Sequence, residues 1–334
     1  MMKYSLLLPI GATRPEQAVP FANLVQWTAA ERLWLGQGMV LESQHLVSWL
    51  SGLGIRVPIG FGVSLMPFRS PYHAAVEARS VALTTGFPVV AGFGPGAVAL
   101  QRGLLGRPYT SQIGAAKEYV RIVRELLAGR TAEAERGHFT VSATLVPALA
   151  PPVSVGLGVL RERMAVAAGE VADAAVTWMA GARYLADTLV PAMRGADRRG
   201  PGAPLRVSAI VPFALAAPGR DPVALASAAC GAHMRLPHYR DTLRRAGVVV
   251  RGEAGEDARA LVDAGVFLYG SADEIHGALG EFAAAGVDEV VLNATGVALA
   301  HGPRAAADDL LEMLRGVAPG AEPGAVGRSD GGPG

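Results

Sequence analysis

The sequence predicts an α/β fold of the (β/α)8 TIM-barrel type, and three observations carry that reading. Eight short apolar runs with β character are spread along the chain, each followed by room for a crossover. Residues 55–96 contain a whole strand–helix–strand unit, the connection that parallel strands require. The 334-residue length suits one barrel of about 250 residues with insertions. One domain is therefore expected over residues 1–316, with a tail lacking apolar pattern over 317–334.

Tyr4 to Ile10 reads as strand one, ended by Pro9-Ile10-Gly11, and Glu16 to Ala30 as a helix with Val19, Phe21, Ala22 and Val25 on one face. Arg32 to Gly36 is strand two, followed by a helix over Glu42 to Leu53. Val57 to Leu65, dense in Gly and Val, is strand three. Ser70-Pro71 then supplies a cap and a first-turn proline for a helix burying Ala75, Ala78, Val81 and Ala82. Thr85-Gly86 stops it, and Pro88 to Phe93 is strand four, closed by glycines 92, 94 and 96. After a loop, Ser111 to Gly129 is strongly amphipathic, with Ile113, Ala116, Tyr119, Val120, Val123 and Leu126 inward. Val153 to Gly158 is strand five, feeding a helix over Arg161 to Ala168, and Ala174 to Met179 is strand six. Pro191 to Pro204 reads as an exposed connection and Leu205 to Leu215 as strand seven. A helix over Ala272 to Ala285 precedes strand eight, Asp288 to Leu292.

Arg69-Ser70-Pro71, Ala75, Glu77 and Gly92-Phe93-Gly94-Pro95-Gly96 resemble the middle of the luciferase-like flavin and deazaflavin (coenzyme F420) oxidoreductases. The resemblance implies a TIM barrel with a flavin-like ring at the C-terminal mouth. It places a non-prolyl cis peptide at Gly62–Val63, with Val63–Ser64 as the alternative, behind that ring. It also implies that Gly94 and Gly96 lie against the ring. Gly156-Leu157-Gly158-Val159, read as a turn entering a helix, would bind the phosphate of the cofactor tail. Thr177 and Trp178 match the family's Thr-Trp at the mouth, with Ala174 replacing a usual glycine. Gly-rich turns and a lone Trp also have plain packing explanations.

Two departures bear on chemistry. Where the family has an acid and a histidine after strand two, this chain has Gln37 and Gly38, and Ala97 stands where some members carry a Glu. Glu42 and His45 follow the altered loop and are the expected proton-transfer residues. Gln37, Gly38, Ala97, His73 and Tyr109 are the expected substrate pocket, and His233, His238 and Tyr239 are further sources of a proton. The resemblance implies hydride transfer from reduced F420 to an activated C=C or C=N bond of a small molecule or peptide, as in natural-product assembly. The alternatives are an FMN-dependent monooxygenase and a non-catalytic flavin-binding homologue. Family members often form homodimers.

Hydrophobic residues make up 51% of the chain and charged residues 18%, which excludes a disordered chain. A net charge of +1 offers no electrostatic case for nucleic acid or an anionic membrane. Cys230 is the only cysteine, so an intrachain disulfide and a cysteine-rich metal site are excluded. No metal-ligand spacing, nucleophile elbow or P-loop occurs, and no apolar run approaches the ~20 residues of a membrane span. A cytoplasmic location without a leader is the expectation.

Overall fold

The computed structural model describes residues 2–197, 204–315 and 317. Eight parallel strands close on themselves: β1 (Lys3–Leu7), β2 (Leu33–Leu35), β3 (Ile59–Leu65), β4 (Val89–Gly94), β5 (Val153–Val159), β6 (Ala174–Trp178), β7 (Arg206–Leu215) and β8 (Glu289–Asn293). The ring shuts through β8 against β1, Lys3 opposite Glu289, and through β6 against β7, Ala174 opposite Arg206. This is the (β/α)8 barrel expected from the strand count.

Strand periodicity sorts the core into two parts. Trp34, Val90, Ala174, Val176, Ile210 and Val291 cluster together with Leu7, Val63 and Trp178. Their sequence neighbours Leu33, Ala91, Ala175, Val211 and Leu292 belong to the larger cluster under the helices. The first set lines the barrel and the second faces its helical jacket.

The helix over Pro71–Thr85 starts as its residues dictate: Ser70 Oγ accepts from the His73 N–H, and Gly86 ends the helix at φ 79°. The helix over Gln112–Leu127 buries Ala116, Tyr119, Val120, Val123 and Leu126, with Ser111 as its cap.

Several boundaries differ from expectation. β1 ends at Leu7 because Pro9 has no N–H to extend a ladder. The helix expected over residues 16–30 is split into a 3-10 turn, Pro15–Ala18, and an α-helix, Val19–Trp27. The loop expected after Gly96 contains a helix, Val98–Leu105. The connection expected over residues 191–204 is helical through Ala196, and residues 198–203 lie outside the described part. The tail expected over 317–334 lies, apart from Val317, outside the described residues.

Between β7 and β8 the chain inserts helices over Pro222–Met234, Pro237–Arg245 and Ala254–Asp263, then a short strand, Leu268–Gly270, paired with Phe213–Leu215. Residues 213–215 are the last of β7, so this insertion stands over the C-terminal mouth. No helix among the described residues is long and apolar enough to cross a membrane.

Candidate active site at the barrel mouth

The floor of the barrel is polar and closed. Glu289 Oε1 accepts from Trp34 Nε1 at 2.7 Å, Ser5 Oγ at 2.5 Å and Arg32 Nε at 2.9 Å. Glu289 and Arg32 are nearly inaccessible, so this ion pair lies in a low-dielectric interior and fixes the indole of Trp34.

Trp34 in turn explains the glycines of β3. A Cβ on Gly60 would overlap the indole ring, and one on Gly62 would lie 3.0 Å from it. Beyond Gly62 the Gly62–Val63 peptide is cis, at the first of the two positions named from the sequence. The ladder to β4 skips here, passing from Phe61 opposite Ala91 to Ser64 opposite Phe93. Val63 packs over the glycines of the next two strands. Cβ atoms on Gly94, Gly92 and Gly158 would come within 2.9, 3.3 and 3.2 Å of its methyl groups. These glycines form a bed for one valine, a role their sequence pattern could not distinguish from ligand contact.

Across the mouth, β6 ends in Trp178. Its Nε1 is buried and meets no hydrogen-bond partner. His233, at the end of the Pro222–Met234 helix, stands edge-on to it with ring centroids 5.4 Å apart, and its Nδ1 is also buried and unpartnered. Tyr239 lies 5.0 Å from His233, and His238 lies 4.5 Å from Tyr239. Burial holds the His233 imidazole below its ordinary range, aided by the charge of His238. His238 is lowered by burial and then by Arg161, and burial pushes the Tyr239 phenol up to about 12. In the sequence, a helix running from His233 to His238 meets Pro237, which would interrupt it. Pro237 does interrupt it, and then begins the next helix at the position where its missing N–H costs nothing. That turn places both imidazoles on Tyr239.

The remaining predicted residues are not gathered in one place. Gln37 and Glu42 belong to a network around Arg69, whose side chain is 3% exposed. Arg69 pairs with Glu42 and Glu77, each at 3.2 Å, and Gln37 Oε1 accepts from the Leu65 N–H. The Glu42 carboxylate is thus already held by Arg69 and Gln37. His73 pairs with Glu77 and is largely exposed, and His45 is exposed on the Ser43–Gly52 helix.

Gly38, expected in the substrate pocket, opens no space there, because a Cβ would collide with the Leu41 carbonyl. Ala97 precedes the Val98–Leu105 helix, and Gly96 has φ 71°. Tyr109 packs on Phe139 and His138. Ser64 and Thr177 are buried in their strands.

Gly156-Leu157-Gly158-Val159 is not a turn. These residues lie within β5 and pair with β6, Gly156 opposite Ala174 through Val159 opposite Thr177. The helix begins only at Glu162, behind Arg161, and no side chain caps it. The free N–H groups expected for a phosphate therefore lie a few residues later, in the first turn of Glu162–Val171.

A cavity of about 570 Å³ opens at the opposite, N-terminal ends of β5 and β6, lined by Arg79, Arg124, Pro152 and Asp173. Its arginines are engaged: Arg79 donates to the Val146 carbonyl, and Arg124 pairs with Asp173 at 2.9 Å. Among the described residues no group of three or more His, Cys, Asp or Glu could hold a metal.

A closed parallel barrel of eight strands with a helical jacket defines a TIM-barrel protein, an architecture whose enzymes carry their sites at the C-terminal mouth. The chain belongs to the luciferase-like monooxygenase family, whose model matches residues 2–289. No curated protein sequence matches it. Among solved structures, an F420-dependent secondary alcohol dehydrogenase in complex with an F420-acetone adduct is similar at 14% identity and TM-score 0.70, covering 94% of this chain and 98% of that one. The coenzyme F420-dependent tetrahydromethanopterin reductase of Methanopyrus kandleri is similar at 15% identity and TM-score 0.65, with 93% and 96% covered. EDTA monooxygenase of Chelativorans sp. BNC1 is similar at 15% identity and TM-score 0.65, with 94% and 93% covered. At these identities the likeness is one of fold.

Proposed function

We propose that this luciferase-like oxidoreductase binds F420 at the barrel mouth and transfers a hydride from reduced F420 to a polarised C=C or C=N bond of a small molecule or peptide. The observation that carries the reading is the pairing of the Val63 shelf with Trp178. A flat apolar surface bedded on glycines faces a mouth whose buried indole N–H has no partner in the protein. A buried donor left unmet costs about 1–3 kcal/mol, which a ring system rich in carbonyl and nitrogen acceptors relieves. Val63 and Gly62 would back the ring, Trp178 Nε1 would donate to it, and the uncapped turn at Glu162 with Arg161 would receive the anionic tail. The bound group supplies the hydride. The protein residues set its orientation and exclude water from one face.

F420 is preferred over FMN because Gln37 and Gly38 replace the acid and histidine of the loop after β2, and a two-electron transfer does not require them. Two of the similar structures are F420-dependent enzymes, which supports the same choice.

Incubation with oxidised F420 or FMN, followed by desalting and an absorbance spectrum, tests the reading. F420 is expected to remain with the protein and FMN to be lost. Retained FMN together with oxygen uptake would establish the monooxygenase alternative instead.

Trp178→Phe separates ligand contact from packing. Because Nε1 has no protein partner, the variant is expected to lose only the packing of the missing ring atoms, about 1–2 kcal/mol, with no added hydrogen-bond penalty. Its cofactor affinity is expected to fall roughly tenfold, about 1.4 kcal/mol, and titration of each variant measures both.

A further inference from the structure

We propose that His233 exchanges with the substrate the proton that accompanies hydride transfer, doing the work of the histidine absent from the loop after β2. The proposal rests on the functional reading above and names a residue for it. Four observations support it.

The His233 ring lies over the mouth, 5.4 Å from Trp178, whose unmet N–H marks the ligand side. Its Nδ1 is buried and has no hydrogen-bond partner among the described residues, so a ligand that reaches it meets an unsatisfied ring nitrogen. Tyr239 meets the ring edge-on with centroids 5.0 Å apart, and Nδ1 stays without a hydrogen-bond partner. Glu42, another sequence candidate, is bound to Arg69 and Gln37.

The step balances. A carbon of the substrate double bond takes a hydride with its electron pair from the reduced deazaflavin, which is thereby oxidised. The other atom of the bond takes a proton from imidazolium Nδ1, leaving neutral His233 to regain a proton from solvent. In the reverse direction neutral Nδ1 accepts the proton.

Charged groups on the surrounding elements include His238, Tyr239 and Asp241 on the next helix, Arg161 before Glu162–Val171, Asp257 and Asp263 on Ala254–Asp263, and His301 on Thr295–His301. Of these, His238 alone bears on His233, in the same lowering direction as burial. The donating form is therefore populated below the ordinary midpoint of 6.5. Reduction is expected to slow by about tenfold per pH unit above that midpoint, while the reverse direction reaches a plateau there.

The test is a pH titration of indole fluorescence on the full chain, since imidazolium quenches a neighbouring indole. Wild type is expected to show a quenching transition with a midpoint below 6.5, absent from Trp178→Phe and from His233→Gln. Saturating oxidised F420 is expected to move that midpoint by about half a pH unit or more as water is displaced. Reduction of cyclohexenone by reduced F420, used as the probe reaction, is expected to fall at least about a hundredfold in His233→Gln and to lose its pH dependence.

With F420 retained, an unmoved midpoint overturns the proposal, as does a wild-type pH profile surviving in His233→Gln. Retention of neither F420 nor FMN overturns the functional reading, and this proposal with it. The wild-type and Trp178→Phe titrations keep the test decisive should His233→Gln fail to fold.

Discussion

Glu289→Ala is expected to destabilise the barrel by about 3–5 kcal/mol, among the largest losses available to a single substitution here. One carboxylate oxygen accepts from Ser5, Arg32 and Trp34 at 2.5, 2.9 and 2.7 Å. Its removal orphans a hydroxyl and an indole N–H and leaves Arg32 with only Glu31, at 3.1 Å toward the surface. A guanidinium whose side chain is 6% exposed has little water to replace the lost partner. Glu289→Gln keeps an acceptor oxygen and is expected to cost less, about 1–3 kcal/mol. Chemical denaturation of both variants checks the order, and a loss below about 1 kcal/mol in Glu289→Ala would show that the floor is not held this way. The effect should reach the site as well, because Trp34 carries Gly60 and Gly62 on its ring.

Gly92→Ala is expected to cost about 1–3 kcal/mol by overpacking and to weaken cofactor retention at least about tenfold. The added methyl would collide with the Phe61 carbonyl, a backbone atom that cannot rotate away. It would also press on Val176 and Val63 at 3.2 and 3.3 Å. Displacing β3 at Phe61 shifts the Gly62–Val63 bulge, so the ring shelf moves together with the ladder. Gly103→Ala, inside the Val98–Leu105 helix where a Cβ meets nothing within 4 Å, is the control, expected to raise stability by about 0.5–1 kcal/mol and to leave cofactor retention unchanged. Thermal melts and cofactor titrations on the three proteins measure the difference, and a Gly92→Ala protein matching wild type in both would refute the packing account.

The site was legible wherever its signal is local. Ser70-Pro71 and Gly86 announced a helix between two apolar runs, and the helix stands where those residues put it. The cis bond lies at Gly62–Val63, which only the resemblance had marked. The glycines of β5 misled for an equally physical reason. A Gly-x-Gly run is what a phosphate turn needs, and it is also what a strand needs when Val63 leans across it. Neither spacing nor composition separates the two. The His233–Tyr239 contact was out of reach because it depends on the angle between two helices meeting at Pro237.

The order and number of the barrel strands, the helix stops and the positions where no side chain fits were settled by the chain's own residues, since period-two burial and glycine sterics act over a few neighbours. What only the closed barrel decided was which distant groups meet: Glu289 under Trp34 across 255 residues, and His233 beside Trp178. Ring closure brings β8 beside β1 and folds the β7–β8 insertion over the mouth. Burial there strips the water that would otherwise answer each polar atom, so these contacts arise from the assembled interior.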